Sequence, residues 1–126
     1  MSATDSNAQN SNALQLRLAK FGGRVLGAAD DLPSTHSGRH LRDQLSRAAT
    51  APGAHYAEAR SAQSRADFIH KVALAAKEAR EALYWLRVAE HAELADSRLD
   101  HLIGEADEIV AILFTSLQTA RENRDD

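Results

Sequence analysis

"SRADFIHKVALAAKEAREALYWLRVAEH", residues 64–91, holds the chain's one tryptophan and one of its two tyrosines, and its apolar residues recur at helical spacing. Phe68, Val72, Ala75 or Ala76, Ala79, Leu83 and Leu86 fall three or four apart, which is the period of one face of an α-helix. Ser64 can accept from the free amides of a first turn, and Asp67 suits the positive end of the helix. The spacing predicts a helix that reaches about Ala92, roughly 42 Å long at 1.5 Å per residue. Runs of β-branched and aromatic residues, which a strand would want, are nearly absent from the chain.

The same period continues on both sides. After a turn near Leu94, with Asp96 or Ser97 as cap, Leu99, Leu102, Ala106, Ile109, Leu113 and Ala120 mark a further helix. A second stripe on it, Ile103, Val110, Phe114 and Leu117, widens the apolar face beyond what one bundle core requires. Upstream, a helix capped by Ser37 carries Leu41, Leu45, Ala48, Ala49, Pro52, Tyr56 and Ala59 inward. Its second half is nearly all small residues, so another helix can approach closely, and Pro52 predicts a kink or short break. The first apolar pattern runs from Leu14 through Leu18, Phe21 and Val25 to Leu32, where Pro33 ends it. Gly22 and Gly23 inside it cost about 2 kcal/mol together against alanine, unless they permit close packing. The expected organisation is all-α, an antiparallel up-down-up-down four-helix bundle over 13–122. A disordered polar tail, 1–12, precedes it, and a solvated tail, 123–126, follows.

Composition narrows the function. At 126 residues the chain fits one domain with a working core, and zero cysteines exclude disulfides and thiolate metal sites, which favours a cytoplasmic setting. "MSATDSNAQNSN" has no apolar stretch of the kind a secretory signal needs, and nothing is apolar enough to span a bilayer, so no membrane partner is expected. A formal net charge of −3 gives no bulk attraction for nucleic acid.

Chemical motifs are sparse. Asp67 and His70 form an acid-x-x-His pair, but the second such motif that a two-metal bundle needs is missing. His36 and His40 are four apart without an acid placed to complete a zinc site. There is no Gly-x-Ser-x-Gly turn and no phosphate-binding glycine loop. No catalytic, metal-binding or cofactor-binding residues are therefore assigned, and the chain is not expected to be an enzyme. Two surfaces remain. Extra apolar width on the last two helices makes Tyr56, Tyr84, Trp85, Ile103, Val110 and Phe114 candidate subunit or partner contacts. Arg39, Arg42, Arg47, Arg60 and Arg65 are the candidate RNA contacts, although Asp43, Glu58 and Asp67 interrupt them.

Two longer stretches, "LRDQLSRAATAPGAHYAEARSAQSRADFIHKVALAAKEAREALYWLRVAEHAEL" from Leu41 and "EADEIVAILFTSLQTAR" from Glu105, carry a resemblance. Over Leu41 to Arg121 the chain resembles a bacterial family of four-helix bundle proteins, some of them encoded inside intervening sequences of 23S ribosomal RNA genes. "SRADFIHK" and "KEAREALYWL" look like one particular branch of it, and the motifs are specific taken together; His55 departs from it, since relatives usually carry asparagine there. The resemblance implies an antiparallel bundle assembled as a homopentamer, with no catalytic residues. A related group, accessory proteins of diversity-generating retroelements, forms similar pentamers that bind nucleic acid but is strongly basic, unlike this chain. The expectation is a non-enzymatic, self-assembling scaffold whose ring offers a surface to an unidentified protein. The alternative is an RNA-binding accessory protein associated with the ribosome, with nucleic acid the less favoured partner.

Overall fold

Three short polar side chains decide where helices begin. In the computed structural model, which describes residues 3–123 and the side chains of 8–123, Thr35 Oγ1 accepts from the Gly38 amide at 3.1 Å and starts α2, His36–Arg60. Ser64 Oγ accepts from the Asp67 amide at 3.0 Å and starts α3, Arg65–His91. Asp96 accepts from the amides of Arg98 and Leu99 and starts α4, Ser97–Glu122. The first helix, α1, spans Ala3–Ala29.

Each helix packs on its neighbours in chain order, and α1 closes the ring against α4. No diagonal pair touches among the described residues, which makes this an antiparallel four-helix bundle. The core is wholly apolar, with Leu18, Phe21, Leu45, Leu86, Leu99, Ile109 and Leu113 its largest enclosed side chains. A smaller cluster of Ala59, Val72 and Leu117, walled by Phe68, Ile69 and Phe114, fills one end.

Several expectations change. The polar stretch expected as a disordered tail is helical from Ala3, so α1 begins well before residue 13; residues 124–126 of the expected C-terminal tail lie outside the described residues. That helix ends at Ala29, and Leu32 stays buried in the turn before Pro33. Thr35 caps α2 in place of Ser37, because Pro33 holds the chain extended just upstream and regular helix begins at once after Thr35. The predicted break at Pro52 is absent. The helix runs through it, with the ring fully enclosed in the core, and that burial offsets the lost amide bond.

The two adjacent glycines of α1 differ. A methyl on Gly22 would sit 3.2 Å from the Ala49 carbonyl oxygen, so its lack of a side chain is what lets α1 close on α2. On Gly23 a methyl would meet nothing within 4 Å. Gly38, passed over in the sequence, is the tightest point of all. A Cβ there would lie 1.9 Å from the Pro33 carbonyl oxygen.

Candidate functional site

The candidate arginines point away from a shared task. Arg42 reaches back across the α1–α2 turn and donates to the carbonyls of Ala29 at 3.3 Å and Leu32 at 2.7 Å. The Ala29 carbonyl already accepts from the Leu32 amide at 3.1 Å, so the stronger service of Arg42 is to the Leu32 carbonyl in the turn, which is a structural duty. Arg47 lies between Glu78, at 3.3 Å, and Glu81 on α3. These two carboxylates therefore meet a cation on the neighbouring helix, and the Arg47 bond is the main cause that holds Glu81 below the usual carboxylate range. Arg39 donates to the Ser34 carbonyl at 2.6 Å, and Arg60 to Gln15 Oε1 at 2.7 Å. Arg65 stands at the start of α3, on the rim of an open cleft of about 590 Å³. Four of the five arginines are thus tied to the bundle itself.

The candidate contact residues divide as well. Tyr56 is 6% exposed and belongs to the core, where it floors the same end cleft. Ile103, Val110 and Phe114 are half-buried and pack against the core. The Arg80 guanidinium covers the Phe114 ring at 4.2 Å from its centroid. The second stripe of α4 therefore fills the α3–α4 seam more than it faces solvent. Trp85 is half-buried, edge-on to His40 with centroids 5.5 Å apart, and its Nε1 donates to Glu81 at 3.3 Å. Tyr84 alone is open, 59% exposed and T-shaped against Trp85 at 5.2 Å.

Sequence reasoning passed over two further exposed surfaces. On α1, Leu16 and Leu26 are 54% and 41% exposed, and with Ala19 and Gly23 they fall in one row. Beside that row runs a shallow groove of about 390 Å³ between α1 and α2, floored by Gly22, Gly23 and Gly53. The i, i+3, i+7, i+10 spacing of the row was visible, but the inward stripe of Leu18, Phe21 and Val25 masks it in the same helix. The second surface is the outer side of α3, where Lys77, Arg80, Tyr84 and Arg87 are exposed.

Ionic links join the helices at their edges. Arg17 makes a two-pronged bond to Glu105, at 2.9 and 2.7 Å, and a third to Glu108 at 2.6 Å. That fork holds Glu105 low and Arg17 high relative to their ordinary ionisation. Lys71 meets Glu58 at 2.8 Å and holds its carboxylate low. Among the described residues no three His, Asp or Glu side chains converge as a metal-binding set. His55 Nδ1 is enclosed without a hydrogen-bond partner there, at the position where the resemblance expected asparagine. No helix among the described residues is long and apolar enough to cross a membrane.

The family model described as 23S rRNA-intervening sequence protein matches residues 17–115, which takes in most of the bundle. The chain belongs to this family. As a 23S rRNA-intervening sequence protein it also shares its fold with a solved structure from Bacteroides thetaiotaomicron, a protein with unknown function from the S23 ribosomal protein family. The two agree with a TM-score of 0.78 at 29% identity, over 86% of this chain and 97% of that one. No curated protein matches the sequence. The family match begins at Arg17, the residue that ties α1 to α4, so the earlier turns of α1 lie outside the shared region.

Proposed function

We propose that this protein is a non-enzymatic cytoplasmic module that assembles with copies of itself, as a homopentamer, and serves as a scaffold for another macromolecule. The observation that carries the assembly is the exposed leucine row of α1 beside its glycine-floored groove. Exposed leucines at helical spacing on a surface that also admits close approach are what a subunit contact uses. Lys20 lies exposed in the same row. On the far side of the α1–α4 seam, α4 turns Asp100, Gly104, Asp107 and Ala111 outward, an acidic and nearly flat row. Two unlike, complementary surfaces on one molecule favour head-to-tail contact, which closes into a ring rather than a two-fold dimer. The number five is what the family resemblance implies.

Light scattering on the full chain tests the reading. The expected mass is about five times the 13.7 kDa chain. Leu16→Glu with Leu26→Glu should reduce it to a monomer that remains helical, because both side chains lie outside the core. A monomeric parent protein overturns the proposal. An unchanged mass in the double variant removes α1 as the contact.

A further inference from the structure

The strongest unassigned feature is the outer row of α3. His70, Lys77, Arg80, Tyr84, Arg87 and His91 are all exposed and succeed one another at spacings of three, four or seven residues. They form a single stripe about 31 Å long, at 1.5 Å per residue, with no acid in it. This occurs in a chain whose net charge is −3. The acids of α3 are placed elsewhere: Glu78 and Glu81 turn to α2 and are bound by Arg47, while Asp67 serves the first turn. Glu90 stands beside His91 at 4.0 Å, at the edge of the stripe.

The cations of this stripe are in a different state from those elsewhere in the bundle. Among the described residues Lys77 and Arg87 join no ion pair, whereas Arg17, Arg47 and Arg98 each hold carboxylates. Arg80 is steadied from below by the Phe114 ring, which supplies no charge to neutralise it. Tyr84 is steadied by a run of three rings, His40 to Trp85 to Tyr84, each pair edge-on. An exposed aromatic held in place between unneutralised cations matches what single strands require. Phosphates take the charge, and an unstacked base takes the ring.

We propose that the α3 stripe of Lys77, Arg80, Tyr84 and Arg87 binds single-stranded nucleic acid, with the cations on phosphates and the Tyr84 ring stacked on a base. This goes beyond self-assembly and does not depend on it. It also uses none of the five arginines that the sequence suggested. Arg80 beside Phe114 sets the antiparallel register of α3 and α4, which puts Asp107 at the level of Arg87 without an ion pair between them. Asp107, like Glu90 at the stripe's edge, is then a charge that opposes the strand.

The test is fluorescence anisotropy of the full chain with a labelled single-stranded RNA of about ten nucleotides, within the usual footprint of such sites. Salt is varied, and light scattering is run on the same samples. Three phosphate contacts at roughly −0.7 each predict a slope of log affinity against log salt near −2. Lys77→Gln with Arg87→Gln should bring the slope to about −0.7, and Tyr84→Ala should weaken binding at least about fivefold. Asp107→Asn should strengthen it. Arg39→Gln, whose guanidinium already serves the Ser34 carbonyl, should change nothing. A duplex of the same sequence should bind more weakly, since its bases are not free to stack. Single-stranded DNA binding as well as RNA supports a backbone-and-base reading, and preference for RNA adds contact with the 2′-hydroxyl. The proposal is overturned by absence of binding at low salt, by a slope unchanged in the double variant, or by equal affinity for duplex. It is also overturned if the α3 variants lower the assembled mass, because the stripe would then be covered by a second copy. Failure of the α1 variants to dissociate the ring bears only on assembly.

Discussion

Two of the bundle's four seams are built on opposite plans. Between α2 and α3 the buried residues are mostly small: Ala48 and Ala59 on one side, Ala75, Ala79 and Ala82 on the other, all 2% exposed or less. The backbones approach closely there, and this is the most extensive helix pair in the molecule. Between α1 and α4 contact is the sparsest, and charge spans the distance. Arg17 grips Glu105 and Glu108 partway along, and Arg98 reaches Asp31 at 2.6 Å at one end. A shallow apolar gap of about 330 Å³ lies between them, lined by Arg24, Gly27, Ala28, Arg98, His101 and Leu102. The lesson is that alanine-rich seams gain from dispersion over many contacts, whereas this ionic seam depends on a few bonds that water and salt can weaken. The α1–α4 side is where the bundle should open first.

The largest effect should come from Leu86→Ala, whose side chain on α3 is fully enclosed, about 2–5 kcal/mol by denaturant unfolding. Ala82→Leu sharpens the contrast, since added volume in a close-packed seam costs about 1–3 kcal/mol. If its unfolding midpoint barely moves, the α2–α3 seam has slack and the comparison fails. Arg17→Gln should cost about 0.5–1 kcal/mol, and less in high salt, because the fork is partly exposed. Amide exchange should rise in α1 more than in α3. A uniform rise would show that the α1–α4 seam is not a separate opening unit.

Acid should act on the same contacts. Glu105, Glu81 and Glu58 are held low chiefly by hydrogen bonds from Arg17, Arg47 and Lys71. A carboxylate held low in the folded state adds stability above its unfolded value, near 4.3, and loses it as pH falls through the folded value. Melting temperature should therefore be steady near neutrality and decline below about pH 5. The Arg17→Gln protein should show a smaller decline. An effect of similar size and opposite sign belongs to Gly23→Ala, which should raise the stability of the single bundle by about 0.5–1 kcal/mol, since the added methyl meets nothing within it. Gly22→Ala should fail to do so because of the Ala49 carbonyl.

The fold was legible because all four helices show the apolar period and two of them also show the cap the sequence suggested. Ser64 with Asp67, and Asp96 before Leu99, are local signals that tertiary contacts did not override. What stayed hidden depends on partners distant in sequence. Pro52 reads as a breaker only until the surrounding core is known to enclose it. The tail before residue 13 is polar at every scale a sequence offers, and yet its helix continues from the packed turns of α1. The arginines illustrate the limit for the site. Spacing grouped Arg39, Arg42 and Arg47 on one helix, but it could not show that carbonyls and carboxylates from neighbouring segments already occupy them. Lys77, Arg80 and Arg87 were equally visible, and only the placement of Glu78 and Glu81 against Arg47 shows them to be unopposed.

Arg42 has a consequence in time rather than in space. The Leu32 carbonyl it satisfies belongs to a residue made before it, so as the chain leaves the ribosome the turn after α1 is finished while that carbonyl still lacks its donor. The turn that ends the first helix is thus completed only by the second. Arg42→Gln should raise amide exchange in that turn more than in the middle of α1.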